Sequence, residues 1–293
     1  MNDSILPRLV LLHGRDKPFE IKGEVERQFV DAVRFGLERA GAPYHDTIKA
    51  ELAFYGDIWR DEDAVGGPEG SIQVPSATAQ LEKALAAEMV AVAGASTAGA
   101  EAGIIMNTLQ GLLATLEAHF PLGDVVLPRF LRDLFEYLTQ PELREKVINR
   151  VVETFDEAGG EVVLLAHSMG TFVGYDLLRR RPDLLVRAFF SFGSPLGYTS
   201  ARRHMADENG ETLFPPNLPR WINVYNEDDF ATAVRHLAPL FPSDDGRMIE
   251  DIEAQGKPVG IFSIGGGHDP SVYLSSMALA QKLRSVLEDP NPT

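Results

Sequence analysis

The stretch 161–170 constrains the fold of this chain more than any other. Four consecutive apolar residues lead into Ala-His-Ser-Met-Gly, and apolar residues with helical spacing begin directly afterwards. This order predicts a buried strand that enters a tight turn at Ser168 and leaves it as a helix. Such a turn brings the strand and helix backbones close together, so the positions two before and two after the serine must be small. Ala166 and Gly170 meet that requirement.

Strands and helices alternate along most of the chain. Short apolar runs predict strands at 8–13, 48–55, 161–166, 186–192, 221–225 and 259–264. Helical spacing of apolar residues predicts helices at 23–40, 130–138, 141–158, 170–180, 229–238 and 271–287. This alternation is typical of an α/β protein, and we predict a single domain over 1–293 built on a doubly wound, mostly parallel sheet.

Residues 61–125 interrupt the alternation. From residue 76 onward this insertion is Ala-rich, with helical spacing on both sides of a break near Gly94–Gly99. A helical hairpin of this kind could cover a site on the domain as a lid, or it could simply pack onto the domain. It could also present an apolar face to a second copy of the chain, which would give a homo-oligomer. The sequence leaves these three interpretations open.

The formal net charge of −16 excludes several partners. Nucleic acids and anionic membrane surfaces would be repelled, and the runs 179–181 and 202–203 are too short to form a basic patch. The chain has no cysteine, so disulfides, thiolate catalysis and cysteine-based zinc sites are excluded. We find no signal peptide, and Glu101 and Asn107 interrupt the most apolar stretch. We therefore expect a cytoplasmic protein without stable membrane insertion.

Two groups that follow Ser168 suggest its chemistry. A serine hydroxyl is a poor nucleophile at neutral pH, and it needs a histidine base that an acid orients. Where a serine lies on such a strand–turn–helix, the acid and then the histidine follow it, each just beyond the carboxyl end of a strand. Asp228 and Asp229 follow the fifth predicted strand, and His268 follows the sixth. We predict His268 as the base and Asp229 as the acid, with Asp228 as the alternative acid.

The other histidines and serines fit these roles less well. His13 and His167 lie at strand ends, where they are expected to line the site, and His236 falls within a predicted helix. Ser194 also follows a predicted strand, but Pro195 has no backbone N–H to donate. Ser194 is therefore expected to shape the floor of the pocket.

A serine nucleophile also needs backbone donors for the oxyanion that forms on its substrate. The N–H of Met169, at the start of the helix after the turn, is one predicted donor. The second is expected in the loop after the first strand, from Gly14 or Arg15. Gly14 would let the backbone turn towards the oxyanion.

By these residues the chain resembles the α/β-hydrolase superfamily over 8–60 and 141–288. The stretch Ala166–Gly170 is similar to the nucleophile turn of certain small bacterial lipases, in which alanine also replaces the first glycine. The segments Phe192–Gly197 and Trp221–Asn226 resemble the lipase and GPI inositol-deacylase-like branch.

The resemblance implies a catalytic triad of Ser168, Asp229 and His268, with Met169 and the Gly14–Arg15 loop as oxyanion hole. The chain departs from the family in the position of its insertion. Lids in this superfamily commonly follow the strand after the nucleophile turn, and here that region, 197–219, is short. The large insertion lies before the turn instead.

Together these features predict a serine hydrolase (carboxylesterase- or lipase-like) that cleaves lipid or small acyl esters through an acyl-enzyme, without metal or cofactor. A serine peptidase or amidase on the same fold is the alternative among enzymes, since amide cleavage uses the same groups. A catalytically idle hydrolase-fold module that binds a partner, or an effector part of a larger assembly, is the alternative from a different class.

Overall fold

A computed structural model describes residues 6–14, 22–59, 76–93, 108–119, 126–232, 234–255 and 266–290. Its centre is a six-stranded sheet in which every strand pairs in parallel, in the order β2-β1-β3-β4-β5-β6. The strands are β1 (Arg8–Leu12), β2 (Ala50–Ala53), β3 (Val162–His167), β4 (Val186–Phe192), β5 (Trp221–Tyr225) and β6 (Glu250–Glu253). The predicted α/β class is confirmed, and the sheet of the described residues is entirely parallel.

Helices lie on both faces of the sheet, an arrangement compatible with a doubly wound α/β fold. Their bounds are α1 (Lys22–Arg39), α2 (Ser76–Ala93), α3 (Leu109–His119), α4 (Val126–Thr139), α5 (Pro141–Ala158), α6 (Gly170–Arg180), α7 (Thr199–Arg202), α8 (Pro270–Leu274) and α9 (Met277–Glu288). No helix within the described ranges has the length and apolar content to cross a membrane.

Each strand contributes alternate side chains to two separate cores, because successive residues of a strand face opposite sides of the sheet. In β3, Val162, Leu164 and Ala166 pack with α2 to α6. Val163 and Leu165 point the other way and pack with α1, α8 and α9. A strand buried on both faces is apolar throughout, which is why 162–166 has no polar residue.

The first strand marks the point where the connections of the sheet change direction. The chain runs from β1 to β2 on one side and later enters β3 on the other side of β1. Such a point leaves a crevice beyond the carboxyl ends of the two strands. Parallel pairing sets Leu12 opposite Ala166. Gly14 and Ser168 therefore leave the sheet side by side at this crevice.

The region after β5 differs from the predicted pattern. The prediction of a helix over 229–238 is wrong, since the described residues there form a 3-10 turn at Phe230–Thr232 and the start of a second one, Ala238–Leu240. Side chains bind the backbone N–H groups that a helix would use. Asp251 accepts hydrogen bonds from the N–H groups of Leu237 (2.9 Å) and Ala238 (3.1 Å). These side chain–backbone bonds compete with helix formation.

Other strands and helices also differ from the predicted ones. The strand β6 was not predicted, whereas the strand predicted at 259–264 lies outside the described residues. The single helix predicted over 271–287 is divided into α8 and α9. Within the insertion the described residues form α2 and α3, which contact each other, and α2 also packs on α4.

Candidate active site

The turn after β3 holds Ser168 in a strained backbone conformation. Its φ is +54°, and it is the only non-glycine residue with positive φ in the described part of the chain. Two hydrogen bonds to backbone groups hold the turn, from the Ser168 N–H to the Phe192 carbonyl (3.1 Å) and from Thr171 Oγ1 to the Ser168 carbonyl (2.7 Å). Such strain persists only where the surroundings enforce it, and it is concentrated at functional sites.

Two glycines allow the backbones around Ser168 to meet. A Cβ on Gly170 would lie 2.9 Å from the carbonyl oxygens of Leu12 and His13, and one on Gly14 would lie 2.7 Å from Ser168 Cβ. Both distances are shorter than real Cβ contacts allow. The loop after β1 and the start of α6 can therefore touch only because neither position carries a side chain.

Ser168, His268 and Asp229 form one hydrogen-bonded chain. Ser168 Oγ lies 2.9 Å from His268 Nε2, and His268 Nδ1 lies 2.9 Å from both carboxylate oxygens of Asp229. Because the carboxylate can only accept, Nδ1 carries the proton and Nε2 is left to accept from the serine hydroxyl. The three residues predicted from the sequence are thus in mutual contact, although 39 and 100 positions separate the bonded pairs.

The acid nearest to His268 is Asp229 and not the alternative, Asp228. The Asp229 side chain is fully buried, and its Oδ1 also accepts the N–H of Ala231 at 2.8 Å. Its Oδ2 accepts the hydroxyl of Tyr273. Burial, reinforced by the nearby Asp229 charge, raises the pKa of Tyr273 well above its ordinary value, so the phenol stays protonated and can donate. Asp228, by contrast, is exposed.

Aromatic rings surround the imidazole of His268. The Phe230 ring centroid lies 4.6 Å from that of His268, and Phe130 of α4 meets His268 edge-on at 6.4 Å. His268 is 8% exposed and Ser168 only 2% exposed. The chain Ser168–His268–Asp229 therefore lies in a covered, largely apolar environment.

Two of the predicted oxyanion donors, Met169 and Gly14, lie beside the same serine. Met169 immediately precedes α6, at the end of a helix where backbone N–H groups have no intrahelical partner. Gly14 contacts Ser168 directly. Arg15, the alternative to Gly14, lies outside the described residues.

Two histidines at strand ends contribute more than the sequence indicated. His13 Nε2 accepts the N–H of Tyr55 at 3.3 Å, so its Nδ1–H donates to the Gly14 carbonyl at 2.6 Å and fixes that loop. His167 Nε2 lies 2.9 Å from the carbonyl oxygen of His268. In the sequence, each histidine was marked only by its place at the end of a strand, His13 before Gly14 and His167 before Ser168.

Ser194, which was predicted to shape the floor of the pocket, is hydrogen-bonded to the turn that carries Ser168. Its hydroxyl donates to Thr171 Oγ1 at 2.9 Å and also accepts the N–H of Leu196, which caps a short 3-10 turn. Thr171 in turn donates to the Ser168 carbonyl, so two consecutive hydrogen bonds connect the Ser194 hydroxyl to the backbone of the turn.

The described residues contain no cluster of three or more His, Asp or Glu side chains that could hold a metal ion. In comparisons with known proteins, no family profile matches the chain and no curated protein is found to be similar to it.

Proposed function

We propose that this protein is a serine hydrolase that cleaves carboxylic esters through an acyl-enzyme intermediate. The observation that carries the proposal is the continuous hydrogen-bonded chain from Ser168 through His268 to the buried Asp229, with the serine at positive φ. A structural serine needs neither the strained turn nor an oriented imidazole. Both are what an activated nucleophile requires.

In the proposed first half-reaction, Ser168 Oγ attacks the ester carbonyl carbon while His268 Nε2 takes the hydroxyl proton. Asp229 keeps the proton on Nδ1 and stabilises the imidazolium that forms. The tetrahedral intermediate collapses when the bond to the leaving alkoxide breaks and His268 returns the proton to that oxygen. The products are an acyl-serine and a free alcohol.

Water completes the cycle in the second half-reaction. His268 Nε2 removes a proton from the attacking water, a second tetrahedral intermediate forms, and Ser168 leaves with the proton that His268 gives back. In both halves we assign the oxyanion to the N–H of Met169 and to that of Gly14 or Arg15. Backbone donors held in place in this way stabilise charge as it develops.

The resemblance to the α/β-hydrolase superfamily, and to its lipase and GPI inositol-deacylase-like branch, is part of this proposal. So is the role of 61–125 as a lid. In support of a lid, Ser168 is only 2% exposed, and α2 contacts the Phe230–Thr232 turn beside the proposed base. The apolar surroundings favour the acyl chain of a small or lipid ester. A cytoplasmic location and self-association through the insertion are further elements that we propose.

The burial of Ser168 favours one other candidate, a catalytically idle module in which the site stays closed. A fluorophosphonate probe separates the two, because it reacts only with an activated and reachable serine. We expect covalent labelling of the wild type and of Ser200→Ala, and none of Ser168→Ala. Labelling of His268→Ala should fall by about a thousandfold or more.

Ser200→Ala is the matched control, since Ser200 is also a buried serine and its hydroxyl has no hydrogen-bond partner among the described residues. Folded wild-type protein that remains unlabelled would contradict the proposal. Where labelling succeeds, p-nitrophenyl esters of graded chain length, compared with the matching anilides, distinguish an esterase from an amidase.

A further inference from the structure

The backbone of the base is held by the residue that precedes the nucleophile. His268 ends a short 3-10 turn, Gly266–His268, and is followed by Asp269, which caps α8. Its ring is bonded at both nitrogens, to Ser168 and to Asp229. Its main-chain carbonyl has a separate partner, His167 Nε2, at 2.9 Å.

The geometry fixes the role of His167 in this contact. A carbonyl oxygen only accepts hydrogen bonds, so His167 Nε2 must carry a proton and donate. The ring is 3% exposed, and a Cβ on Gly193 would lie only 3.0 Å from its Nε2 and Cδ2. On another side the Phe192 ring centroid lies at 5.4 Å. The donor therefore has little freedom to leave the carbonyl.

We propose, on the basis of the function proposed above, that His167 is a positioning residue for the base. The peptide bond joins His167 to Ser168, the His167 Nε2–H holds the His268 main chain, and the His268 ring returns to Ser168 Oγ. The peptide bond and the two hydrogen bonds therefore form a closed cycle of contacts between residues about 100 positions apart in sequence. Any displacement of the His268 turn from the serine must break the His167 bond.

The position requires a donor at the far end of a side chain and not merely bulk. Glutamine has an Nε2 amide that can donate at a similar reach, whereas methionine has similar length and flexibility but no donor. If His167 only filled space, His167→Gln and His167→Met would be equally impaired. If it positions the base, glutamine should restore what methionine loses.

The test measures the rate constant of fluorophosphonate labelling for wild type, His167→Gln and His167→Met. We expect His167→Met to react roughly tenfold to a hundredfold more slowly, as small misplacements of reacting groups commonly cost. His167→Gln should recover most of the wild-type rate. Equal rates for wild type and His167→Met, or for the two variants, would overturn the inference and leave the proposed function intact. An unlabelled wild type would instead overturn the proposed function, and this role with it.

A measurement on the wild type keeps the inference testable if His167→Met fails to fold. Long-range ¹H–¹⁵N correlation spectra report which ring nitrogen of each histidine is protonated, and His167→Gln assigns the signal. We expect a proton on Nε2 of His167. An Nε2 without a proton would overturn the inference whatever the labelling shows.

Discussion

At the scale of single residues, the buried carboxylate of Asp229 needs hydrogen bonds from its neighbours. Its carboxylate is fully buried, and three donors face it: the ring of His268, the N–H of Ala231 and the hydroxyl of Tyr273. A buried carboxylate is costly without such partners. Of the three, only the Tyr273 hydroxyl can be removed without changing the base or the loop backbone.

We predict that Tyr273→Phe lowers both activity and stability. Loss of a hydrogen bond to a charged group should reduce the free energy of unfolding by about 1.5–3 kcal/mol. The labelling rate should fall by about tenfold, because an Asp229 that is less firmly held orients His268 less well. Urea unfolding and probe labelling measure the two effects. Tyr225→Phe, at a partly exposed position on β5, is the control, and equal behaviour of the two variants would contradict the prediction.

At the scale of elements, one carboxylate links α2 to the segment that follows β4, in addition to the apolar packing of α2 on the domain. Glu88 of α2 accepts the backbone N–H groups of Thr199 (2.6 Å) and Ser200 (2.8 Å) at the start of α7. It therefore caps a helix far away in sequence, a place where a negative charge is also favourable. The contact joins α2 to the segment that follows β4.

We predict that Glu88→Ala loosens this junction while the sheet stays intact. The cost should be about 1 kcal/mol, as for other lost helix caps. Hydrogen exchange should accelerate at the amides of Thr199 and Ser200 and remain unchanged in α9. If α2 belongs to a lid, probe labelling of Ser168 should also become faster.

Glu38→Ala, at an exposed carboxylate on α1, is the control for the loss of one negative charge. Unchanged exchange at Thr199 and Ser200 in Glu88→Ala would show that the capping contact does not stabilise the junction.

At the scale of the whole molecule, burial of tyrosine makes folding sensitive to alkali. Five tyrosines are fully buried: Tyr55, Tyr137, Tyr175, Tyr198 and Tyr273. Burial raises the pKa of each in the folded state, that of Tyr175 to about 12. In the unfolded chain the same groups ionise near pH 10. Above that pH the unfolded state releases protons that the folded state keeps, so stability is complete below pH 10 and declines as the pH rises further.

We predict that the thermal midpoint falls steeply between pH 10 and 11.5. Each buried tyrosine should cost up to about 1.4 kcal/mol per pH unit in this range. Circular dichroism melts give the midpoint, and absorbance at 295 nm counts the tyrosinates. Buried tyrosines should ionise only as the protein unfolds. Ionisation of all seven tyrosines in protein that is still folded would contradict the prediction.

Local sequence determined the elements that carry the site. The apolar run before Ser168, with small residues at 166 and 170, was sufficient to predict β3, the turn and α6. The Ser–acid–His order was sufficient to nominate Ser168, His268 and Asp229 for contact. These signals are local because strand burial, turn geometry and helix periodicity depend on residues close together in the chain.

Other features depended on contacts that no short stretch encodes. β6 has three acidic residues and a low strand propensity, yet it forms because the edge of β5 offers a backbone partner. Conversely, 229–238 has helical spacing but loses the helix where the Asp251 carboxylate binds its N–H groups. The sequence favoured Asp229 and kept Asp228 as the alternative, and the burial of the Asp229 carboxylate against His268 separates the two.

The sequence by itself determined an α/β chain with a strained serine turn and the residue types that could activate it. Only the tertiary structure decided which carboxylate meets His268 and that His167 is hydrogen-bonded to the main chain of His268. The physical reason is that a hydrogen bond depends on distance and direction in space. Between residues 39, 100 or 101 positions apart, both are set by the packing of the sheet and its helices.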